Sequence, residues 1–552
     1  MTDSLFEILS HEYGSIALPI IAFVLLLRLY ITHLAREPLP PGPPGLPLLG
    51  NILSMPTDYP YLQFETWKRQ YGPIFSLAAG KDTIIVLADH ETAHELLNKR
   101  SQNYSHRPTM HMAGELLYKG HHMLFRPFDE KYKAHRRNMG PLFTEAASRM
   151  VGPVQDMESI ASLRQLLDFS EGSEKARLDA RQYVKHVKDQ SRLLDGYCAL
   201  VMALHRYTAS VAYLLVYGFR IETGREPELT NGHLVEKNFA EAMKPGVWPC
   251  DVIPALNYLP QWLAPWKKTA ERWYEFEKEH HMKSISRAKN SPAWNWTKAV
   301  MGNKAARRLD EVSLVYDAGI LNNAGLDTTA QTLEMFILAA VTNPDKMKIA
   351  QEELDRVVGR DRMPSLEDRK DLPYMSAVIE EVLRWRPIIM GGIVHSNLQD
   401  DVFKGYRIPK GSVVIPNVWS IHMDERVYKD PHLFLPERWL ENPSLPDHVG
   451  FGFGRRVCMG EHIARASMFT MMARLFWAFD IKKGLDGAGN EIDVDSFNLT
   501  DYFITRPKPY PARLILRHGA VRDVVDAAWE KVEKDPDVIM EQVGGYFKNR
   551  MK

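Results

Sequence analysis

The chain has 552 residues, 45% of them apolar and 25% charged, with 69 basic residues balanced by 69 acidic ones. That balance leaves no bulk field to attract nucleic acid. Three scattered cysteines, Cys198, Cys250 and Cys458, argue against a disulfide framework and against a zinc or iron–sulfur centre built from cysteines.

The first predicted element is an anchor. Residues 13–31 read YGSIALPIIAFVLLLRLYI, close to the roughly 20 residues that a membrane span needs. Asp3, Glu7 and Glu12 precede the run, and Arg28 and Arg36 follow it. The positive-inside rule then puts residues 1–12 in the lumen and the bulk of the chain in the cytosol. The rival is a cleaved signal peptide, which wants a basic start and a small-residue cleavage site; this start is acidic. A proline-rich stretch, PLPPGPPGLPLLGN, follows the span. Fixed proline backbones make residues 36–51 a stiff extended hinge.

From residue 52 to 518 the chain reads as one unit, mainly α with small β-sheets. IFSLAAGKDTIIVLA, residues 74–88, predicts a hairpin around Gly80 and Lys81. Residues 244–266, KPGVWPCDVIPALNYLPQWLAPW, place Val247, Trp248, Ile253, Leu259, Trp262 and Trp266 between prolines. They predict either a lid that dips into a membrane interface or a loop packed on the core. A long helical pattern surrounds AGLDTT, residues 324–329, and stops at Asn343-Pro344. Gly325 and the threonine pair inside it could mark a bend. EEVLRWRP, residues 380–387, places Glu381 and Arg384 on one helix face. Past His518, Val524, Val525, Ala528 and Val532 predict a short amphipathic helix in a C-terminal extension, 519–552.

The chemistry concentrates in FGFGRRVCMG, residues 451–460. A lone cysteine is most often a buried packing residue. Here a helical pattern begins just after Cys458, and a helix N-terminus favours a thiolate. Gly452, Gly454 and Gly460 allow close backbone approach, and Arg456 supplies a cation for a carboxylate or phosphate. A thiolate, glycine clearance and a carboxylate clamp together suit a haem, with sulfur to iron and guanidinium to propionate.

These residues carry a resemblance. Phe451, Gly454, Arg456, Cys458 and Gly460 match the F-x-x-G-x-R-x-C-x-G signature of cytochrome P-450 enzymes. Glu381 and Arg384 match the family's E-x-x-R. Arg438, in FLPERW (434–439), matches the arginine that closes a buried Glu–Arg–Arg network behind the haem. AGLDTT resembles the oxygen-binding groove: Ala324 and Gly325 leave room for O2, and Thr328 and Asp327 feed protons. YKAHRR, residues 132–137, stands where W-x-x-x-R touches the propionates, with Tyr132 replacing tryptophan and Arg136 kept. His395 stands where the family has a further propionate donor, in MGGIVHS (390–396).

The resemblance implies the cytochrome P-450 fold after a single N-terminal transmembrane helix (13–35), and haem b on Cys458. It implies insertion of one atom of O2 into an apolar small molecule, with electrons from NADPH through a separate cytochrome P-450 reductase at the endoplasmic reticulum membrane. Lys131, Lys133 and Arg137 either help form the docking face for that reductase or are ordinary solvated charges. Residues 106–122, 388–394 and 499–503 are expected to complete the substrate pocket. The segments 244–266 and 405–424 look most like fungal biosynthetic members, which implies a terpenoid, polyketide or alkaloid substrate. Two other readings stay open: a haem-thiolate isomerase or dehydratase that does not use O2, and a non-enzymatic haem-binding protein.

Overall fold

The computed structural model describes residues 37–548 apart from 48, 81, 184–194 and 245. The expected span over 13–35 lies outside the described residues.

The chain opens on the proline-rich stretch, which lies along the first sheet instead of standing off as a spacer. Ser76 donates its amide to the Pro41 carbonyl at 2.9 Å and its hydroxyl to Pro40 at 2.6 Å. Arg407 donates its amide to Pro38 at 2.8 Å. Gly42 makes this approach possible: a Cβ there would lie 1.9 Å from the Ser76 carbonyl oxygen. Helix α1 (Pro60–Tyr71) then leads into the hairpin of β1 (Ile74–Ala79) and β2 (Asp82–Leu87), paired antiparallel as expected.

The helical body follows. It contains α2 (Glu130–Met139), α3 (Gly152–Ser170), α4 (Asp195–Tyr217), α5 (Pro227–Ala242), α6 (Pro265–Asn290), the 32-residue α7 (Glu311–Thr342), α8 (Pro344–Val357) and α9 (Pro373–Trp385). Helix α4 is apolar and long enough from Gly196 to Tyr217 to cross a membrane, but it is wholly buried between α3 and α7 as a core helix. β3 (His395–Ser396), the hairpin β4–β5 (Asp401–Phe403, Tyr406–Ile408) and β6 (Val413–Pro416) come next. The first sheet has the order β1-β2-β6-β3, with β2 parallel to β6. It thus ties the N-terminal hairpin to strands more than 300 residues later.

Helix α10 (Glu461–Ala478) is buried from Ala466 onward and packs on α3 and α7. A last antiparallel pair, β7 (Phe479–Lys483) and β8 (Ala512–Leu516), closes the domain. The extension then forms two helices where the valine pattern predicts one, α11 (Val521–Lys531) and α12 (Pro536–Phe547). Val521, Val525, Ile539, Met540, Val543 and Phe547 join the main core. Phe547 stacks on Trp294 at 4.8 Å, and a Cβ on Gly544 would lie 2.5 Å from the Trp294 side chain.

Candidate active site

The cysteine loop is shaped by two left-handed residues, Gly452 (φ 83°) and Gly454 (φ 50°), a backbone region that favours glycine. The Cys458 amide donates to the Phe451 carbonyl at 2.9 Å, which folds the loop back on itself. Gly460 caps α10, so the amides of Gly460 and Glu461 point at the Cys458 sulfur. Cys458 is exposed to solvent although protein surrounds it on the outside, so its sulfur lines an internal hollow. Burial pushes its thiol above the ordinary range, outweighing the two amides and Arg136. The helix start favours a thiolate and burial opposes it; a cation against the sulfur tips the balance toward the thiolate.

The glycines divide by role. Gly460 lies in ordinary contact with the sulfur, where a Cβ would be 3.8 Å away. Gly454 faces elsewhere: a Cβ there would meet the Leu97 carbonyl at 2.3 Å, and its amide donates to Asn98 Oδ1 at 2.7 Å. Its clearance therefore serves the junction with residues 94–99. Phe451 lies under the Arg465 guanidinium, 5.0 Å from the ring centre.

Beside the loop is a knot of cationic side chains. Arg456 donates to the carbonyls of Ser105 at 2.8 Å and Arg126 at 2.7 Å. Its guanidinium lies 3.7 Å from the centre of the Tyr132 ring. Arg136 donates to the Val457 carbonyl at 3.1 Å, and the buried Arg107 donates to Leu124, Ile393 and Val394. Among the described residues no carboxylate forms an ion pair with any of the three. Burial and mutual repulsion lower Arg107 to about 9 and burial lowers Arg456 to about 10. Burial, then Arg107, holds His395 well below the usual imidazole range. Such a knot, short of negative charge, suits a dianionic ligand. The Tyr132 hydroxyl is not aimed at one: it donates to the Arg455 carbonyl at 3.1 Å, so Tyr132 positions Arg456. His395 Nδ1 lies 2.7 Å from the Tyr104 carbonyl, which occupies its single neutral-state proton.

Across the helical body, α7 is helical without interruption through AGLDTT. Hydroxyls load its carbonyls. Thr328 donates to Ala324 at 2.7 Å, Thr208 to Leu326 at 2.7 Å and Thr332 to Thr328 at 3.0 Å. Ala324 is exposed and Thr328 half-buried within a helix that is otherwise nearly all core. Gly325 turns toward α4, where a Cβ would lie 3.4 Å from Ala212. Asp327 also turns from Thr328, toward His233 Nδ1 at 3.5 Å and His205 Nδ1 at 3.8 Å. Burial alone would raise its carboxyl, but His233 and His205 hold it below the usual range.

Behind the loop, Glu381 and Arg384 are fully buried and doubly bonded to each other, and Arg438 Nε reaches Glu381 Oε1 at 3.3 Å. Trp439 Nε1 donates to Glu381 Oε2 at 3.0 Å and the Leu435 amide to Oε1 at 2.9 Å, completing the carboxylate's partners.

The family model for cytochrome P-450 matches residues 40–510. A cytochrome P-450 monooxygenase of Aspergillus aculeatus, aneD, is 36% identical over 95% of this chain and 97% of its own. The chain belongs to the cytochrome P-450 family. Other relatives are FrzL of a Cladobotryum species, 34% identical over 93% of this chain and 94% of its own, and peniB of Penicillium patulum, 35% over 91% and 89%. A zebrafish cytochrome P-450 solved with abiraterone superposes with a TM-score of 0.64 at 25% identity, covering 83% of this chain and all of that one.

As a cytochrome P-450, the chain is a haem-thiolate monooxygenase, and its residues fit that cofactor. Cys458 offers the sulfur from inside the hollow, and Arg107, Arg136 and Arg456 offer cations for the propionates. Bound there, the haem supplies reductive activation of O2, with the thiolate favouring O–O cleavage. Sequence reasoning missed four contributors. Arg107 lies in a pocket segment, but only its burial without an acid singles it out. Trp439 stands in the quoted FLPERW yet carries no signal of its own. His205 and His233 meet Asp327 only through folding.

Proposed function

We propose that this monooxygenase oxidises an apolar product of fungal secondary metabolism, a terpenoid, polyketide or alkaloid, using NADPH electrons from a separate reductase. The observation that carries the reading is the interior-facing thiol of Cys458 beside arginines that lack acidic partners. Relatives over nearly their full length are named monooxygenases, which disfavours an isomerase that leaves O2 alone.

An aromatic cluster gathers on α5. Phe239 of α5 meets Phe503 at 5.6 Å, Phe125 at 6.0 Å and His122 at 6.2 Å. Of these rings, His122 and Phe503 come from segments expected to form the pocket, and such rings select flat or greasy substrates. On α7, Thr328 presents a hydroxyl whose own proton rests on Ala324, leaving its oxygen lone pairs free to accept a proton in transit.

Membrane attachment at the endoplasmic reticulum, with the catalytic domain in the cytosol, is part of the proposal. It rests on the acidic start and basic finish around residues 13–31 and on an apolar surface in 244–266. There, Val247, Ile253, Tyr258, Trp262 and Leu263 are exposed, Trp262 at 79%, while Trp248 and Trp266 are turned inward. An aromatic surface of this kind suits the headgroup layer.

For the reductase we propose a basic face centred on Arg137. Lys131 and Lys133 are neutralised by Asp310 at 2.7 Å and Glu130 at 2.6 Å. Arg137 instead shares one depression with Lys304 and Arg308.

The test is expression with a reductase, feeding with a metabolite extract under 18O2, and the same with Cys458→Ser. Wild type gives labelled product and the carbon monoxide difference band of a haem-thiolate protein; the variant gives neither. Unlabelled product formed without NADPH would overturn the reading.

A further inference from the structure

Three helices bring three metal-type ligand atoms to one point beside α7. His205 comes from α4, His233 from α5 and Asp327 from α7, and their ligand atoms all lie within 4.8 Å of one another. His233 Nδ1 and His205 Nδ1 stand 3.5 and 3.8 Å from Asp327 Oδ1. Both separations exceed a good N–H···O hydrogen bond, which ends near about 3.2 Å. They come close to the edge of a tetrahedron around zinc, about 3.3–3.6 Å for metal–ligand bonds of roughly 2.0–2.2 Å. The three ligand atoms converge on one point, as ligands around an ion do.

The surroundings strengthen this. Glu334 Oε1 lies 2.7 Å from His205 Nε2, and Tyr197 donates to Glu334 Oε2 at 3.1 Å. The anchored carboxylate orients the ring through Nε2 and sets Nδ1 on the Asp327 side. A carboxylate on the far nitrogen is the usual support of a metal-binding histidine. The three ligand side chains grade from outside inward, with His233 33% exposed, Asp327 13% and His205 5%. An ion therefore has a way in from the His233 side. Burial, then the Asp327 charge, holds the Glu236 carboxyl one turn along α5 well above its usual range, while Arg506 is the opposing cation nearby.

We propose that His205, His233 and Asp327 form a binding site for a zinc-type dication, and that the bound ion takes the Asp327 carboxylate out of proton supply. Binding stands on the ligand geometry alone. Its effect on turnover rests on the role proposed for Asp327 and Thr328, so the two are read separately.

The experiment uses full-length holoenzyme in chelator-treated buffer. Zinc chloride is titrated by calorimetry into wild type, His233→Ala, His233→Cys and Asp327→Asn, each first shown by its carbon monoxide band to hold haem. Expected is one saturable site per chain in wild type, an affinity at least tenfold weaker in His233→Ala and Asp327→Asn, and recovery in His233→Cys, since cysteine is itself a zinc ligand. In parallel, zinc lowers the ratio of product to NADPH and raises peroxide in wild type but not in His233→Ala. Absence of saturable binding overturns the proposal, as does equal affinity in wild type, His233→Ala and Asp327→Asn. Binding with the expected variant pattern but unchanged coupling upholds the metal site and refutes the proton-supply role of Asp327.

Discussion

Arg384 grips Glu381 through two parallel hydrogen bonds, Nε to Oε2 at 2.9 Å and Nη2 to Oε1 at 2.7 Å, with both side chains fully buried. The remaining Arg384 nitrogen reaches the carbonyls of Pro431 at 2.8 Å and His422 at 3.1 Å. The pair thus staples α9 to the segment that leads into the cysteine loop. Removing either partner strands a charge in the core, which costs about 3–5 kcal/mol. Arg384→Ala and Glu381→Ala are expected to give haem-free, poorly soluble protein. Arg384→Lys is expected to rescue little, because an ammonium cannot reproduce the two-point contact. Haem content per chain and circular dichroism decide it; normal holoprotein from Arg384→Ala would refute the staple.

Tyr132 separates positioning from ligand contact. Its ring lies under the Arg456 guanidinium and its hydroxyl bonds a loop carbonyl. Tyr132→Phe keeps the ring and loses one hydrogen bond, about 0.5–1.5 kcal/mol, and should retain haem nearly as wild type does. Tyr132→Ala frees Arg456 and should speed haem loss to an acceptor such as apomyoglobin. Equal loss rates in the two variants would make the hydroxyl, and not the ring, the important part.

Thr328 is expected to govern how oxygen use is coupled to product. Thr328→Ala should keep haem and consume NADPH, yet divert roughly tenfold or more of its turnover from product to peroxide. Thr328→Ser, which restores a hydroxyl, should recover most of the coupling. NADPH, peroxide and product measured in one assay check this. An unchanged product-to-NADPH ratio in Thr328→Ala would leave the threonine as a carbonyl-capping residue of α7.

A fourth expectation concerns pH. Burial raises Glu277 of α6 to about 8, and burial lowers its neighbour His281 to about 4. From about pH 4.5 to 8 the unfolded chain has released the Glu277 proton while the folded chain still holds it, so stability falls as pH rises. His281 has the opposite slope, but only between its folded value and its ordinary 6.5. Between pH 6.5 and 8 the Glu277 effect therefore stands alone of the two. Glu277→Gln should melt less steeply with pH across that window, so the wild-type and variant melting temperatures diverge toward pH 8. Parallel curves would show that Glu277 is ionised in the folded protein.

The parts legible in the sequence are those whose chemistry is local. The hairpin of β1 and β2, the start of α10 just after Cys458, and the i to i+3 pair of Glu381 and Arg384 each need only neighbouring residues. The roles that shifted depend on partners far along the chain. Gly325 faces Ala212, Gly454 faces Leu97, and Gly42 lies against Ser76; nothing beside those glycines announces such neighbours. The Tyr132 hydroxyl likewise meets a carbonyl more than 300 residues away, and Asp327 finds His205 and His233 only once α4, α5 and α7 assemble. Burial is likewise invisible locally: the helix start favours a thiolate at Cys458, while desolvation of the free thiol opposes it.

The docking of α11 on α3 and of α12 on Trp294 has a consequence for the order in which the molecule is made. A chain leaves the ribosome N-terminus first, so Trp294 and the faces of α3 and α4 are translated well before residues 521–547 arrive to cover them. Until then Arg164 lacks its Asp526 partner, and Arg522 has yet to reach Asp168 and Glu171. That flank of the core can close only after translation has passed Phe547. A nascent chain stalled near His518 would hold the cysteine loop and the Glu381 staple, yet still present bare indole and aliphatic surface to chaperones.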